Sequence, residues 1–323
     1  MAASPPLFQH VTVKRRTGLD NPGTARNCFL NSALQSLFNI ELARFFFQDP
    51  PAECRAVDVV EKIGILFANM HHSDEASVTP VGVRQALSER FKTDEMSDAA
   101  EAFEAILLAV HGTELDKPCL FDHCLSHEVF TFEVIESVRC LSPHGCRRVD
   151  ASPSAKEFIF RVSAFELSEL ATKFPDEDLS SLLGRQGKLL ECKHCGYRAL
   201  RERTLVTPAK VFVLQMVLTS AVQSRPEDRA RILKLLARTT QSFHKVFRTN
   251  ENLPTLTYVL TGFITYYGSH YIYFGLDAQR GTWIMYDDSV VTPLGAWSKV
   301  EQTCLKGSWQ PVLCLYAETD FNE

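Results

Sequence analysis

The chain has 323 residues, 45% hydrophobic and 23% charged, the composition of a globular protein with ample core rather than of a disordered or fibrous one. Its 34 basic and 39 acidic residues leave a net charge of −5, and no basic excess points to nucleic acid or an anionic membrane. No stretch approaches the roughly 20 apolar residues of a membrane-spanning helix, and the start, MAASPPLFQHVTVKRR, lacks a secretory apolar run, so an intracellular, cytoplasmic location is expected.

Residues 1–16 read as a polar, proline-containing lead-in. GLDNPGTARNCFLNSALQSL, Gly18 to Leu37, then moves from turn residues into apolar helical spacing at Leu30, Ala33, Leu34, Leu37 and Phe38. Pro50 and Pro51 close this region. A second helix is expected from about Val57 to Met70, and a third from near Thr79, with Pro80 suited to its first turn. SDAAEAFEAILLAVH is a fourth, with Ser97 and Asp98 as caps and His111 at its end. From Cys119 to about Thr204 the chain is richer in Cys, His and alternating strand patterns such as EFIFRVSAF. From Val211 it reads mostly as strands, VFVLQMVL, YVLTGFITYY, HYIYFGL, TWIMYDD and PVLCLYA, with one helical insert, PEDRARILKLLAR. Helices first and strands later predict an α+β fold.

Ten cysteines in a reducing compartment read as metal ligands, a catalytic thiol or core fillers. Cys28 stands where turn gives way to helix, at the positive helix end that stabilises a thiolate. A thiol nucleophile needs a base, and the base an orienting partner. His270 starts one strand and Asp287 ends the next, so a hairpin between them brings the two together. Cys on a helix N-terminus with His and Asp on adjacent strands is the papain-like arrangement. Taken singly, each residue has a plainer reading: Cys28 as buried filler, His270 as a hydrogen-bonded core residue, Asp287 as a solvated turn.

Together the residues resemble the ubiquitin-specific proteases. GLDNPGTARNCFLNSALQSL is similar to that family's cysteine box, SDAAEAFEAIL to its Asp-Ala-x-Glu-Phe helix, and YYGSHYIYFGLDAQRGTWIMYDDSVV to its histidine box. HCLSHEVFTFEVIESVRC and AWSKVEQTCLKGSWQPVLCLYA resemble the subgroup of ubiquitin-specific peptidases 53 and 54. The resemblance implies a papain-like cysteine protease fold of thumb (about 17–118), zinc-bound fingers (about 119–210) and palm (about 211–318), with a catalytic domain over 17–318 and a short tail at 319–323. It implies Cys28 as nucleophile, His270 as general base and acid, and Asp287 as the residue orienting it. The implied activity is cleavage after ubiquitin's C-terminal glycine, with ubiquitin, polyubiquitin chains and ubiquitinated proteins as partners. The subgroup adds a preference for chains linked through ubiquitin's lysine sixty-three. The box is two residues longer than the family pattern, with TARN in place of the usual NT. The side-chain donor to the oxyanion is therefore Asn21 or Asn27, Asn21 favoured, and Asn27 alternatively a helix cap. The Cys28 backbone N–H is a second donor. Asp98 is the candidate partner for an arginine of ubiquitin's tail, or simply an N-cap. Tyr267, Gly268, Ser269 and Tyr271 are candidate walls of the groove for that tail, or core and hairpin residues.

CKHCG, with Cys192 and Cys195, is a Cys-x-x-Cys knuckle suited to tetrahedral zinc, and Cys140 and Cys146 in CLSPHGC supply a second pair. Their separation resembles the family's fingers, where two pairs clamp one structural zinc. His144 and His194 read as bystanders. A second cluster, His111, Cys119, Cys124 and His127, has the composition of a Cys2His2 site, and the subgroup carries similar residues there. The alternative is an aromatic-rich loop with incidental Cys and His. Cys304 and Cys314 read as core. Two other functions compete with an active protease: a catalytically silent ubiquitin-binding scaffold on the same fold, and a transglutaminase-like acyltransferase, against which the Cys-x-x-Cys knuckle argues.

Overall fold

The structure, a computed structural model, describes residues 17–23, 25–92, 95–113, 115, 117, 119, 121, 123–144, 146–185, 189–218, 225–238, 240–241, 246–249 and 256–319. The lead-in at 1–16 and tail residues 320–323 lie outside them. The chain forms two compact units, one of residues 1–129 and 261–313, the other of 130–260 and 314–323.

In the first unit, strand β1 (Gly18–Leu19) pairs in parallel with β2 (Ser77–Val78). Helix α1 (Cys28–Asn39) is buried from Cys28 through Phe38, so the other elements assemble around it. Next come α2 (Glu41–Gln48), α3 (Asp58–His72), α4 (Val81–Ala86) and α5 (Ala99–His111). α5 packs on α1 and α3. Its start matches the expected cap: Asp98 accepts hydrogen bonds from the Ala100 and Glu101 amides. Gly112, left-handed at φ +78°, ends it. Pro80 stands just before α4 rather than inside its first turn.

The second unit takes β3 (Phe132–Cys140), β4 (Val149–Ala151), β5 (Ala155–Glu157), β6 (Phe160–Ser163), α6 (Ala164–Lys173), α7 (Leu179–Arg185), β7 (Leu189–Glu191), β8 (Arg198–Thr207), β9 (Val211–Val217), α8 (Pro226–Leu236), β10 (Thr240–Gln241) and β11 (Arg248–Thr249). β3 pairs antiparallel with β4, β5 and β8, and β7 with β8. Phe132, Phe160 and Phe212 pack ring against ring, with Phe247 beside them, as the core of this unit. Two helices, α6 and α7, stand where the sequence patterns suggested strands. Ser163 caps α6 by accepting from the Glu166 amide, so Ser163 and Glu166 form the Ser-x-x-Glu signature of a helix start. The strand pattern of EFIFRVSAF stops at that serine.

The chain then makes β12 (Tyr258–Tyr267), β13 (His270–Asp277), β14 (Thr282–Asp287), β15 (Val290–Gly295), α9 (Trp297–Gly307) and β16 (Gln310–Glu318). Within the first unit β12, β13, β14 and β15 are successive antiparallel neighbours. Phe263 stacks on Phe274 at 5.0 Å, with Trp283 and Trp297 against Phe263. Helices lead and strands follow, as the α+β expectation has it. No helix among the described residues is long and apolar enough to cross a membrane.

Candidate active site

Three local devices bring three side chains together. Cys28 is the first residue of α1 and 3% exposed, with its Sγ 3.9 Å from the Ser269 carbonyl oxygen. β12 and β13 are joined by a two-residue turn, Gly268-Ser269, with φ of +57° and +69°, the left-handed pair that matches strand twist. His270 is therefore the first residue after a tight turn. β13 and β14 run antiparallel with Tyr273 opposite Tyr286, which carries on to Asp287 opposite Ile272. His270 and Asp287 are thus diagonal neighbours on one face of the hairpin. His270 Nε2 lies 2.6 Å from Asp287 Oδ1.

That pairing sets the charge of the imidazole. The hydrogen bond to Asp287 raises the His270 pKa to about 10; a hydrogen bond with the Cys28 thiol adds to it, and burial opposes it. The ring is an imidazolium at neutral pH, held between the Asp287 carboxylate and the Cys28 sulfur.

A second layer of contacts holds Asp288. It begins the turn between β14 and β15 at φ +49°, a conformation an aspartate tolerates. Its Oδ2 accepts from Asn21 Nδ2 at 2.8 Å and its Oδ1 from Asn31 Nδ2 at 2.7 Å. Burial raises its pKa, and those two amide donors pull the other way. Asn21 Oδ1 in turn accepts the Asn27 backbone N–H at 2.8 Å. The Leu19 N–H donates to the Asp288 carbonyl at 2.9 Å. A Cβ on Gly18 would lie 2.6 Å from the Ser289 backbone, so only glycine fits there. Asn27 occupies the N-cap position of α1 without a side-chain cap bond. Asn31, one helical turn after Cys28, and Asp288 are the residues of this cluster that sequence reasoning passed over. The Asn-Ser after the cysteine and the doubled aspartate were their only signals.

A model of the family described as ubiquitin carboxyl-terminal hydrolase matches residues 17–316. The chain belongs to this family.

Among curated relatives, ubiquitin carboxyl-terminal hydrolase 54 of Rattus norvegicus and of Mus musculus are each 27% identical over 325 residues, covering 93% of this chain and 20% of theirs. Ubiquitin carboxyl-terminal hydrolase 53 of Homo sapiens is 26% identical over 328 residues, covering 94% of this chain and 30% of its own. The chain thus spans a fifth to less than a third of the length of these relatives, which bear out the resemblance to the 53 and 54 subgroup. Among solved structures, the SAGA DUB module containing Ubp8, bound to monoubiquitin, aligns with a TM-score of 0.67 at 16% identity, over 98% of this chain and 72% of that one. A second structure of that module gives 0.66 at 18%, over 98% and 71%. These likenesses establish the fold, the α+β, papain-like fold of the ubiquitin-specific proteases.

Asp98 caps α5 with Oδ1, while Oδ2 accepts from the Tyr271 hydroxyl at 3.2 Å. Tyr271 is 6% exposed, so it supports Asp98 from within the core, whereas Tyr267 is 52% exposed. In the second unit Cys140 Sγ lies 3.6 Å from Cys195 Sγ, and Cys146 Sγ 3.8 Å from Cys192 Sγ. These separations are far beyond a disulfide bond and match the edge of a tetrahedron with about 2.3 Å zinc–sulfur bonds, about 3.8 Å. The His194 and Cys195 amides point at the Cys192 sulfur and hold its pKa down to about 6, the His194 amide contributing most. The buried residues around the four thiols are Cys140, Cys192 and Ala199, too small a cluster to hold that end of the sheet by packing. The four cysteines therefore fit a metal. His194 pairs with Asp150 at 2.9 Å and stands apart from them. His111, Cys119, Cys124 and His127 converge in the first unit. Cys304 and Cys314 are fully buried, as expected of core residues.

Proposed function

We propose that this chain is a deubiquitinating cysteine protease that cleaves the bond after ubiquitin's C-terminal glycine. The observation that carries the reading is the convergence of Cys28, at the first turn of a buried helix, with the His270–Asp287 pair. The Cys28 sulfur attacks the carbonyl carbon of ubiquitin's terminal glycine. The thiol proton already resides on His270, as a thiolate–imidazolium pair, and His270 delivers it to the leaving amine as the acyl-enzyme forms. Water then attacks the thioester, with His270 accepting its proton, and Cys28 leaves as the ubiquitin carboxylate departs. Asp287 keeps the ring oriented and charged. The oxyanion takes the Cys28 amide, one of the first-turn N–H groups a helix leaves unpaired, and the second amide proton of Asn21. Asn21 is preorganised for this because Asp288 holds one proton and Asn27 holds its oxygen. The carboxylate of Asp98 faces the basic tail of ubiquitin. Cys140, Cys146, Cys192 and Cys195 would hold one structural zinc, which staples the fingers and takes no part in the reaction. The chain would act on polyubiquitin linked through lysine sixty-three in preference to other linkages. All ten cysteines are free thiols, which suits a reducing, cytoplasmic setting.

A ubiquitin probe ending in an electrophile tests the reading. Covalent labelling of the wild-type chain, lost in Cys28→Ala, is expected. Ubiquitin binding without labelling would establish the silent scaffold instead, and a panel of linkage-defined diubiquitins reads the chain preference.

A further inference from the structure

Asp287 meets His270 only if β14 lies in one place against the helix that carries Cys28. α1 packs on both β13 and β14. The residues on either side of Asp287 fasten to that helix. On one side Asp288 reaches Asn31. On the other, the Tyr286 hydroxyl donates to Asn39 Oδ1 at 3.2 Å, across 247 residues of chain. Asn31 and Asn39 stand about 12 Å apart along the axis of α1, so β14 is tied to it at two separate points.

Both partners of the second tie are held in the pose it needs. Asn39 Nδ2 donates to the Gln35 carbonyl of its own helix at 2.7 Å, which turns the amide oxygen toward β14. Tyr286 is buried, and its ring lies 5.6 Å from that of Tyr273, its cross-strand neighbour. Tyr273 is itself fixed, because it sits against Gly262 and Gly275, where a Cβ would strike its ring. Phenylalanine at 286 would fill the same space, so the hydroxyl is the part that packing does not explain. Arg44 of α2 is the charged group beside Tyr286, and Cys28, Asp287 and Asp288 are the titratable groups beside His270.

We propose that Tyr286 and Asn39 are a positioning pair for the reaction: their hydrogen bond sets where β14 rests on α1, and so how closely the Asp287 carboxylate approaches the His270 ring. The pair rests on the reading of Cys28, His270 and Asp287 as the catalytic groups, and touches neither substrate nor nucleophile. A strand held by packing alone can slide by a fraction of an ångström. The 2.6 Å bond between Asp287 and His270 lengthens and weakens under such a slide.

Ring NMR of the histidines in the full chain tests this, with the His270 signal assigned by its absence in His270→Gln. Tyr286→Phe deletes one hydroxyl and keeps the ring. The His270 pKa is expected to fall by about half a unit or more, the usual worth of a hydrogen bond. Asn39→Ala should give the same fall, and the double variant no more than either alone. With a ubiquitin C-terminal fluorogenic substrate, kcat should fall about three- to tenfold with KM unchanged. In an Asp287→Ala background, Tyr286→Phe should move the His270 pKa no further, since the effect runs through that carboxylate. An equal His270 pKa in wild type and Tyr286→Phe would overturn the proposal, and so would an undiminished fall in the Asp287→Ala background. NMR reads the ring without turnover, so failure of the pair and failure of the protease reading are told apart.

Discussion

Replacing Asp287 by alanine removes the largest influence on His270. The pair is 2.6 Å apart, and the carboxylate is the first cause of a pKa near 10 where an ordinary histidine has 6.5. Without it, the Cys28 contact raises the pKa and burial lowers it, so the ring falls back toward its ordinary range. The alkaline limb of kcat/KM on a ubiquitin C-terminal fluorogenic substrate reports loss of the imidazolium in the free enzyme. In wild type it is expected near pH 10; in Asp287→Ala it should move down by at least about one unit, each unit being about 1.4 kcal/mol of preference for the charged ring. The rate at the optimum should fall by about 10²–10⁴, the range for a mispositioned general acid–base. Stability follows the same group. Its folded pKa lies above the unfolded one, so its contribution is complete below pH 6.5 and is lost as pH rises through about 10. The two side chains are 37% and 35% exposed, so water screens the pair and the stability change is smaller than the pKa displacement alone implies. An alkaline limb unchanged in Asp287→Ala would refute the assignment of the charge to this pair.

Asp98 separates two roles by substitution. Asp98→Asn keeps a good N-cap and should leave stability within about 0.5 kcal/mol, while Asp98→Ala should cost about 0.5–2 kcal/mol in urea unfolding. If the carboxylate meets ubiquitin's basic tail, Asp98→Asn alone raises KM about tenfold; an unchanged KM leaves it a cap. Asp288→Ala removes an acceptor from the Asn21 amide and the shortest of three from the Asn31 amide, which also donates to the Leu19 and Asp20 carbonyls, and should cost about 1–3 kcal/mol by chemical denaturation. An equal melting curve would show that both amides find other partners.

The meeting of His270 with Asp287 was legible because its determinants are local. Helical spacing starts at Cys28, and His270 and Asp287 sit at strand ends whose register a short hairpin fixes. The cap at Asp98 was legible for the same reason. α6 was not, because apolar alternation in EFIFRVSAF outweighed the Ser163 and Glu166 signature at its start. Asp288 and Asn31 were missed because their roles depend on contact across more than 250 residues of chain, which no spacing encodes. The two metal-type clusters lie between these cases: residue types mark candidate ligands, but only the folded chain shows that each set meets at one point.

The fastening of the cysteine box at both ends has a consequence for its length. Gly18 and Leu19 are pressed and hydrogen-bonded to the Asp288-Ser289 turn, and Asn21 grips that aspartate while receiving the Asn27 amide. Asn21 and Asn27 are two fixed posts of the box. Gly23 and Arg26, between those posts, take left-handed conformations, and residues added there need not shift Cys28. Here the chain has a place to vary in length while the distance from thiol to imidazole stays the same.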